Sequence, residues 1–297
     1  MSLPDKFHIS WKNLAAAVKN SSGVYAAVTL ASTVAAESAY PLTNCQNANA
    51  NEPTVIDMTG ETTLSITDTD SPDVLVSINC FALHNHNFPD GTTARFRVFD
   101  AINQGGTTVY DSAAIDTDHT IPWGSIIAGI DPVEGNFEEE GHMKTHFSKW
   151  FDTVQCKSFQ LDITNAAGFT NDQLSLDKLW IGFSYATADG PVFGYGSEMA
   201  NDSEHQSKPG GGMETVEHDV RRSLVLQFKG VKNAERHVLR HIFDRARMGG
   251  DLLITMDPND VKSMNYELTS IYRRMNSNRW NAQHYNWNNM GLALEEN

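Results

Sequence analysis

The sequence predicts a mainly β protein, with an N-terminal β-sandwich followed by a smaller α+β module of strand, helix, strand and hairpin. Three observations carry that prediction. Short apolar runs with a two-residue period recur from Thr54 to Tyr185, punctuated by Asn, Asp, Gly and Pro. Only one strong helical stripe exists, and it comes after residue 230. Between the two lies 187–213, rich in Gly, Ser, Asn and Asp with Pro191 and Pro209, and the charge balance changes there too. Residues 1–190 hold 23 Asp/Glu against 9 Lys/Arg, a net of −14, whereas residues 191–297 hold 14 against 13. The expected division is therefore an N-terminal segment 1–23, a sandwich 24–186, a linker 187–213 and a module 214–297.

Taken in order, the first segment is polar with scattered apolar residues, and its spacing suggests a short helix from Trp11 to Val18. Val24 to Val34 alternates as a first strand. Tyr40-Pro41-Leu42-Thr43-Asn44 opens a loop that runs to Pro53. Strands are then expected at 54–58, 62–67, 73–83, 93–100 and 107–111. In the fourth of these Ala94, Phe96 and Val98 point one way while Arg95 and Arg97 point the other. From Ile115 to Trp150 the pattern loosens, and it returns at 158–164 and 178–185, where Trp180 and Phe183 are placed in or beside the core. In the module, Leu224, Leu226 and Phe228 alternate as a strand. Asn233 stands as an N-cap, and Val231, Ala234, Val238, Leu239, Ile242, Phe243 and Ala246 fall on one helical stripe. Gly249-Gly250 supplies the stop. Leu252, Ile254 and Met256 alternate again before Asp257-Pro258, and a hairpin is predicted to pair 268–275 with 280–287 around Asn276-Ser277-Asn278.

The net charge of −15 disfavours nucleic-acid and anionic-membrane partners, which need clustered Lys and Arg. No run approaches the ~18 apolar residues of a membrane span. Asp5, His8, Trp11 and Lys12 interrupt the place where a signal peptide needs its apolar core. Cys45, Cys80 and Cys156 are odd in number and scattered, which reads as buried thiols in a chain folded in a reducing cytoplasm.

Candidate chemistry is sparse. His84 and His86 alternate at a strand end and would share a face, but no third metal ligand accompanies them. His142 and His146 lie four apart without an HExxH pattern, and His237 and His241, also four apart, lie on the predicted helix at the flank of its stripe among arginines. Gly194-Tyr195-Gly196-Ser197 lacks the closing glycine of a nucleophile elbow, and Gly210-Gly211-Gly212 has no following Gly-Lys. The expectation is a non-enzyme with no metal and no cofactor. Trp123 and Trp150, in expected loops, are the candidate sugar-stacking rings, with core or subunit contact as the alternative use. Arg236, Arg240 and Arg247, on the helix and its C-terminal end, are the candidate assembly contacts.

The order of several short motifs resembles a known group. Asn13-Leu14-Ala15 is followed by a Thr/Ala/Ser-rich strand, by Tyr40-Pro41-Leu42-Thr43-Asn44 and by Ala82-Leu83-His84-Asn85-His86-Asn87. Thr93-Ala94-Arg95-Phe96-Arg97-Val98 and Val109-Tyr110-Asp111-Ser112 come next. This order resembles minor structural proteins of tailed bacteriophages whose first domain is a jelly-roll or discoidin-like, galactose-binding-type sandwich. Leu224 to Pro258 is similar to strand–helix–strand modules that help build rings at a phage tail tip or baseplate. The resemblance implies a virion protein made in the host cytoplasm, a homo-oligomer in a ring, with other phage tail proteins as partners. It does not bring sugar binding with it, because such sandwiches also serve as docking domains. A host glycan is the partner under the alternative, an adhesin.

Overall fold

The computed structural model describes residues 7–16, 18–19, 25–26, 28–47, 52–69, 75–89, 91–117, 146–169, 173–187, 196–200, 204–207, 213–216, 221–246, 250–256, 258, 269–274, 280–284 and 287–296. The chain opens with β1 (His8–Asn13), β2 (Val18–Lys19), β3 (Tyr25–Ala26) and β4 (Leu30–Ser32), then a 3-10 turn at Leu42–Gln46. Next come β5 (Thr54–Asp57), β6 (Thr63–Asp68), β7 (Val76–His86), β8 (Thr92–Phe99), β9 (Thr108–Asp111) and β10 (Ile115–Asp116). They are followed by β11 (His146–Cys156), β12 (Ser158–Asn165), β13 (Gln173–Ala186), β14 (Gly196–Ala200), β15 (Glu204–Ser207) and β16 (Met213–Val216). The last part holds β17 (Arg221–Lys232), helix α1 (Asn233–Ala246), β18 (Asp251–Thr255), β19 (Thr269–Arg274), β20 (Trp280–His284) and β21 (Trp287–Glu296).

The fold is mainly β, as the alternation predicts. One face of the sandwich is a six-stranded sheet ordered β10-β8-β12-β6-β4, with β9 on β8. The other face is part of an eleven-stranded sheet ordered β11-β7-β13-β1-β18-β19-β21-β17-β14, with β5 on β13 and β20 on β21. Between the two sheets Phe81, Leu83, Phe96, Phe147, Leu161, Leu179 and Ile181 pack into an apolar core. Phe81 stacks on Phe96 at 4.5 Å between ring centroids.

The sequence did not reveal how the module is attached. In place of a short helix near Trp11, residues 8–13 form β1, which pairs with β13 of the sandwich and with β18 of the module. One N-terminal strand therefore joins the two parts into a single sheet. β1 breaks register between Ser10 and Asn13. Asn13 fills the gap: its amide donates to the Leu179 carbonyl at 2.7 Å, and its Oδ1 accepts from Ile181 N at 3.1 Å and from Ala15 N at 3.0 Å. Gly182 lies opposite this bulge, where a Cβ would sit 2.6 Å from Ser10 Oγ and 2.7 Å from the Lys12 carbonyl. Only a residue without a side chain fits that approach.

Helix α1 covers the module half of the sheet, burying Leu239, Ile242, Phe243 and Ala246 against Phe7, Ile9, Leu226, Phe228, Ile254 and Leu292. The buried stripe is rotated from the expected one, so that Val238 faces outward and is 38% exposed. Strands β17 and β18, which flank the helix in sequence, are separated in the sheet by β19 and β21. The predicted hairpin is corrected as well. β19 and β20 both pair with β21, and the adjacent hairpin is β20–β21. The cause is β21 itself, where Met290, Leu292 and Leu294 alternate onto the helix-covered face and a ten-residue strand offers a ladder to both. The stretch read as a linker holds β14, which pairs with β17, and β15, which pairs with β16.

Candidate functional site

The least ordinary part of the molecule is the seam where the sandwich meets the module. Along β7, Phe81 and Leu83 enter the sandwich core, while Cys80 and Ala82 join Trp150, Trp180, Leu253 and Ile271 in a separate small cluster. His84 Nε2 of β7 lies 3.4 Å from Ser270 Oγ of β19. Four strand-to-strand steps separate those strands in the ladder, about 19 Å if the sheet were flat. The contact therefore requires the sheet to coil back until its sandwich half meets its module half.

Buried polar groups cross this seam. Lys178 of β13 is ion-paired with Asp251 of β18, both nearly sequestered. Ser270 Oγ donates to Glu296 Oε1 at 2.5 Å, and His84 Nε2 lies 3.8 Å from the same carboxylate. His146 of β11 sits directly opposite His84 in the ladder, and the two rings stack at 6.1 Å. Asn85 donates to Asp177 beside them. Trp180 Nε1 donates to Ser10 Oγ at 3.1 Å, which in turn donates to the Phe183 carbonyl at 3.0 Å. Of these, the Lys178–Asp251 pair and the contacts of His84 with Ser270 and Glu296 span both halves. The ion pair fixes their relative position more than it adds net stability, because desolvating a buried ion pair offsets most of its attraction.

A serine, a histidine and a glutamate in one cluster invite comparison with a hydrolase, and the geometry answers it. The Ser270 hydroxyl is turned to the carboxylate instead of the imidazole, and Ser270 and His84 are each 1% exposed. A nucleophile needs its base as the hydrogen-bond acceptor and a path for substrate. The three thiols are equally unreactive: burial pushes Cys45, Cys80 and Cys156 up to about 12. Among the described residues no group of three or more His, Cys, Asp or Glu is arranged to hold a metal. His86, which alternates with His84 along β7, stacks on Phe88 at 4.1 Å.

The candidate contact residues are placed as follows. Trp150 is only 4% exposed and belongs to the seam, its Nε1 donating to Ser148 Oγ at 3.3 Å. It therefore has no face to offer a sugar, and that expectation is corrected. Burial of β11, whose pattern the sequence left loose, is the reason. Trp123, Arg247 and His142 lie outside the described residues. Arg236 is half-buried and donates to Asn288 Oδ1 at 3.0 Å, pinning the helix to β21 instead of facing a neighbour. Arg240 is exposed, 3.5 Å from Asp244 one turn on. On the sandwich, Tyr40 is 44% exposed in the loop before β5, and nearby Gln173 donates to Glu37 at 2.7 Å.

No protein-family model matches the chain, and no curated protein does. Among solved structures it is similar to chitosan-binding module 1 of a chitosanase/glucanase from Paenibacillus sp. IK-5, at 11% identity over 52% of this chain and 93% of that one, with a TM-score of 0.34. It is also similar to the family 32 carbohydrate-binding module of Clostridium perfringens NanJ, solved with galactose, at 12% identity over 57% and 98% of the two chains and a TM-score of 0.34. A truncated AlyQ with CBM32 and alginate lyase domains aligns over 87% of this chain and 56% of its own, at 10% identity and a TM-score of 0.32.

Proposed function

We propose that this chain is a non-enzymatic structural subunit that works through its surfaces, holding one partner on the sandwich and another on the α+β module. The observation that carries the reading is the joining of the two parts: β1 pairs with both, and the buried Lys178–Asp251 pair crosses between them. A chain that must keep two partners in fixed relation needs a joint that does not hinge, and a shared sheet supplies one. The finer placement, a tail-tip or baseplate subunit of a tailed bacteriophage, rests on the order of sequence motifs from Asn13 to Pro258. Its test is co-sedimentation: the chain is expected in purified particles, and its absence from them would reject the placement.

A second reading is carbohydrate recognition by the sandwich. The Paenibacillus and Clostridium modules bind chitosan and galactose, and the same ligand class is available here as a proposal. What favours it in this chain is Tyr40, an exposed ring beside the Glu37–Gln173 hydrogen bond. A flat apolar face next to a carboxylate and an amide suits a pyranose. Glycan-array binding that is saturable and lost in Tyr40→Ala supports this reading, and an array without signal removes it.

A further inference from the structure

Residues 20–94 contain eight Asp or Glu and not one Lys or Arg. Three of the acidic residues are exposed at β5 of the sandwich: Asp57 ends the strand, and Glu52 and Glu61 lie on either side of it. Asp57 is met by a neutral group: Thr59 donates to Oδ1 through its hydroxyl at 2.6 Å and through its backbone N–H at 3.0 Å. Those hydrogen bonds hold its carboxyl below the usual range and keep it ionised. The opposite imbalance lies in the module. Residues 229–247 carry six Lys or Arg against two acidic residues, in a chain of net charge −15. One of those two, Glu235, is buried; the other, Asp244, is exposed 3.5 Å from Arg240, so the excess of positive charge comes from Arg245, Lys229 and Lys232, all exposed on or just before α1. Val238, seven residues before Arg245 and so on the same side of the helix as that arginine, is an apolar residue at 38% exposure. The helix packs on β1, β17 and β21, on its other side.

We propose that copies of this chain associate head to tail, the outward face of α1 in one copy seating on the acidic surface that Glu52, Asp57 and Glu61 form at β5 of the next. It rests on the reading of the chain as an assembly subunit and names one of its partners. The two patches are different surfaces of one molecule. The contact is therefore heterologous and propagates, closing into a ring where the rotation between copies permits and into a filament where it does not. Fourteen residues of helix span about 21 Å. One helical face of that length falls short of a standard interface of about 800 Å² per partner. Pairwise association is accordingly weak and salt-sensitive, and ring closure supplies the avidity.

Sedimentation velocity of the full chain tests this at about 0.05 M and about 0.5 M salt, where screening lengths differ several-fold. Concentration-dependent association is expected at low salt, weakened on the order of tenfold or more at high salt. Arg240→Glu with Arg245→Glu should abolish it, as should Glu52→Lys with Glu61→Lys, and mixing the two variants should restore it. A chain that stays monomeric at low salt, or associates undiminished in both variants, overturns the contact. Purified particles separate this from the underlying reading. Wild-type chain present and both variants incorporated equally well would reject the contact but keep the assembly role. Wild-type chain absent from particles would reject the assembly role, whatever the association data show.

Discussion

The two faces of the strand β7 show two ways of holding a protein together. On one face Phe81 and Leu83 meet a cluster of apolar side chains and thiols, where burial supplies most of the stabilisation. On the other, Cys80, Ala82 and His84 meet a seam in which small side chains and two tryptophans are flanked by Lys178, Asp251, Ser270 and Glu296. The first face is constrained by shape, so volume-conserving apolar exchanges are the changes it tolerates best. The second accepts only an arrangement in which each polar group finds its partner, so it sets the position of the module. Strength resides in the sandwich core and orientation in the seam.

The largest effects should show that difference directly. Phe81→Ala and Lys178→Ala should each cost about 3–5 kcal/mol in urea unfolding, one by leaving a cavity and the other by stranding Asp251. Combining Lys178→Met with Asp251→Leu should recover nearly all of the Lys178→Ala loss, because an apolar pair of similar volume replaces the ion pair. Equal cost in the single and the double variant would make the seam an ordinary core.

A buried carboxylate in the sandwich supplies the next comparison. Whereas Asp251 faces a lysine, Asp68 accepts from Phe159 N at 2.8 Å and from Gln104 Nε2 at 2.9 Å. Burial pushes Asp68 up to about 6 despite those bonds. Its folded-state value lies above the unfolded one, so its protonated form favours folding below about pH 4, and that contribution is lost as pH rises through 6. Asp68→Asn keeps both acceptor contacts without the charge. It should raise stability by up to about 3 kcal/mol above pH 7 and by little near pH 4. Melting temperatures at the two pH values check this, and a stabilisation independent of pH would contradict it.

Gly182→Ala should cost about 1–3 kcal/mol, since a Cβ at that position meets Ser10 and the Lys12 carbonyl. The loss should be accompanied by a change in Trp180 fluorescence, because Trp180 Nε1 is bonded to the same Ser10. The smallest effect is expected from Arg236→Ala, about 1 kcal/mol for the bond to Asn288 that ties α1 to β21.

Strands β8 and β12 were legible because every second residue is apolar and the partner face is a single core. The helix was legible for the same reason, although its stripe was misplaced at Val238. The bridging role of β1 was hidden, because His8 and Ser10 are polar and buried only once β13 and β18 lie on either side of them. Local spacing groups His84 with His86 and His146 with His142, but the ladder pairs His84 with His146 across 62 positions of sequence. Trp150 looked like a loop ring because β11 shows no clean alternation, and its burial comes from residues of β7 and the module. In the candidate site, what escaped sequence reasoning was long-range pairing. The one local signal that was present and unused was Gly182 inside a strand, which marks a close approach.

Differential scanning calorimetry of the full chain tests the shared sheet most directly. If β1 and the seam make sandwich and module one body, heating should give a single transition whose calorimetric and van't Hoff enthalpies agree. Two separated transitions, with the first removing the module alone, would contradict it.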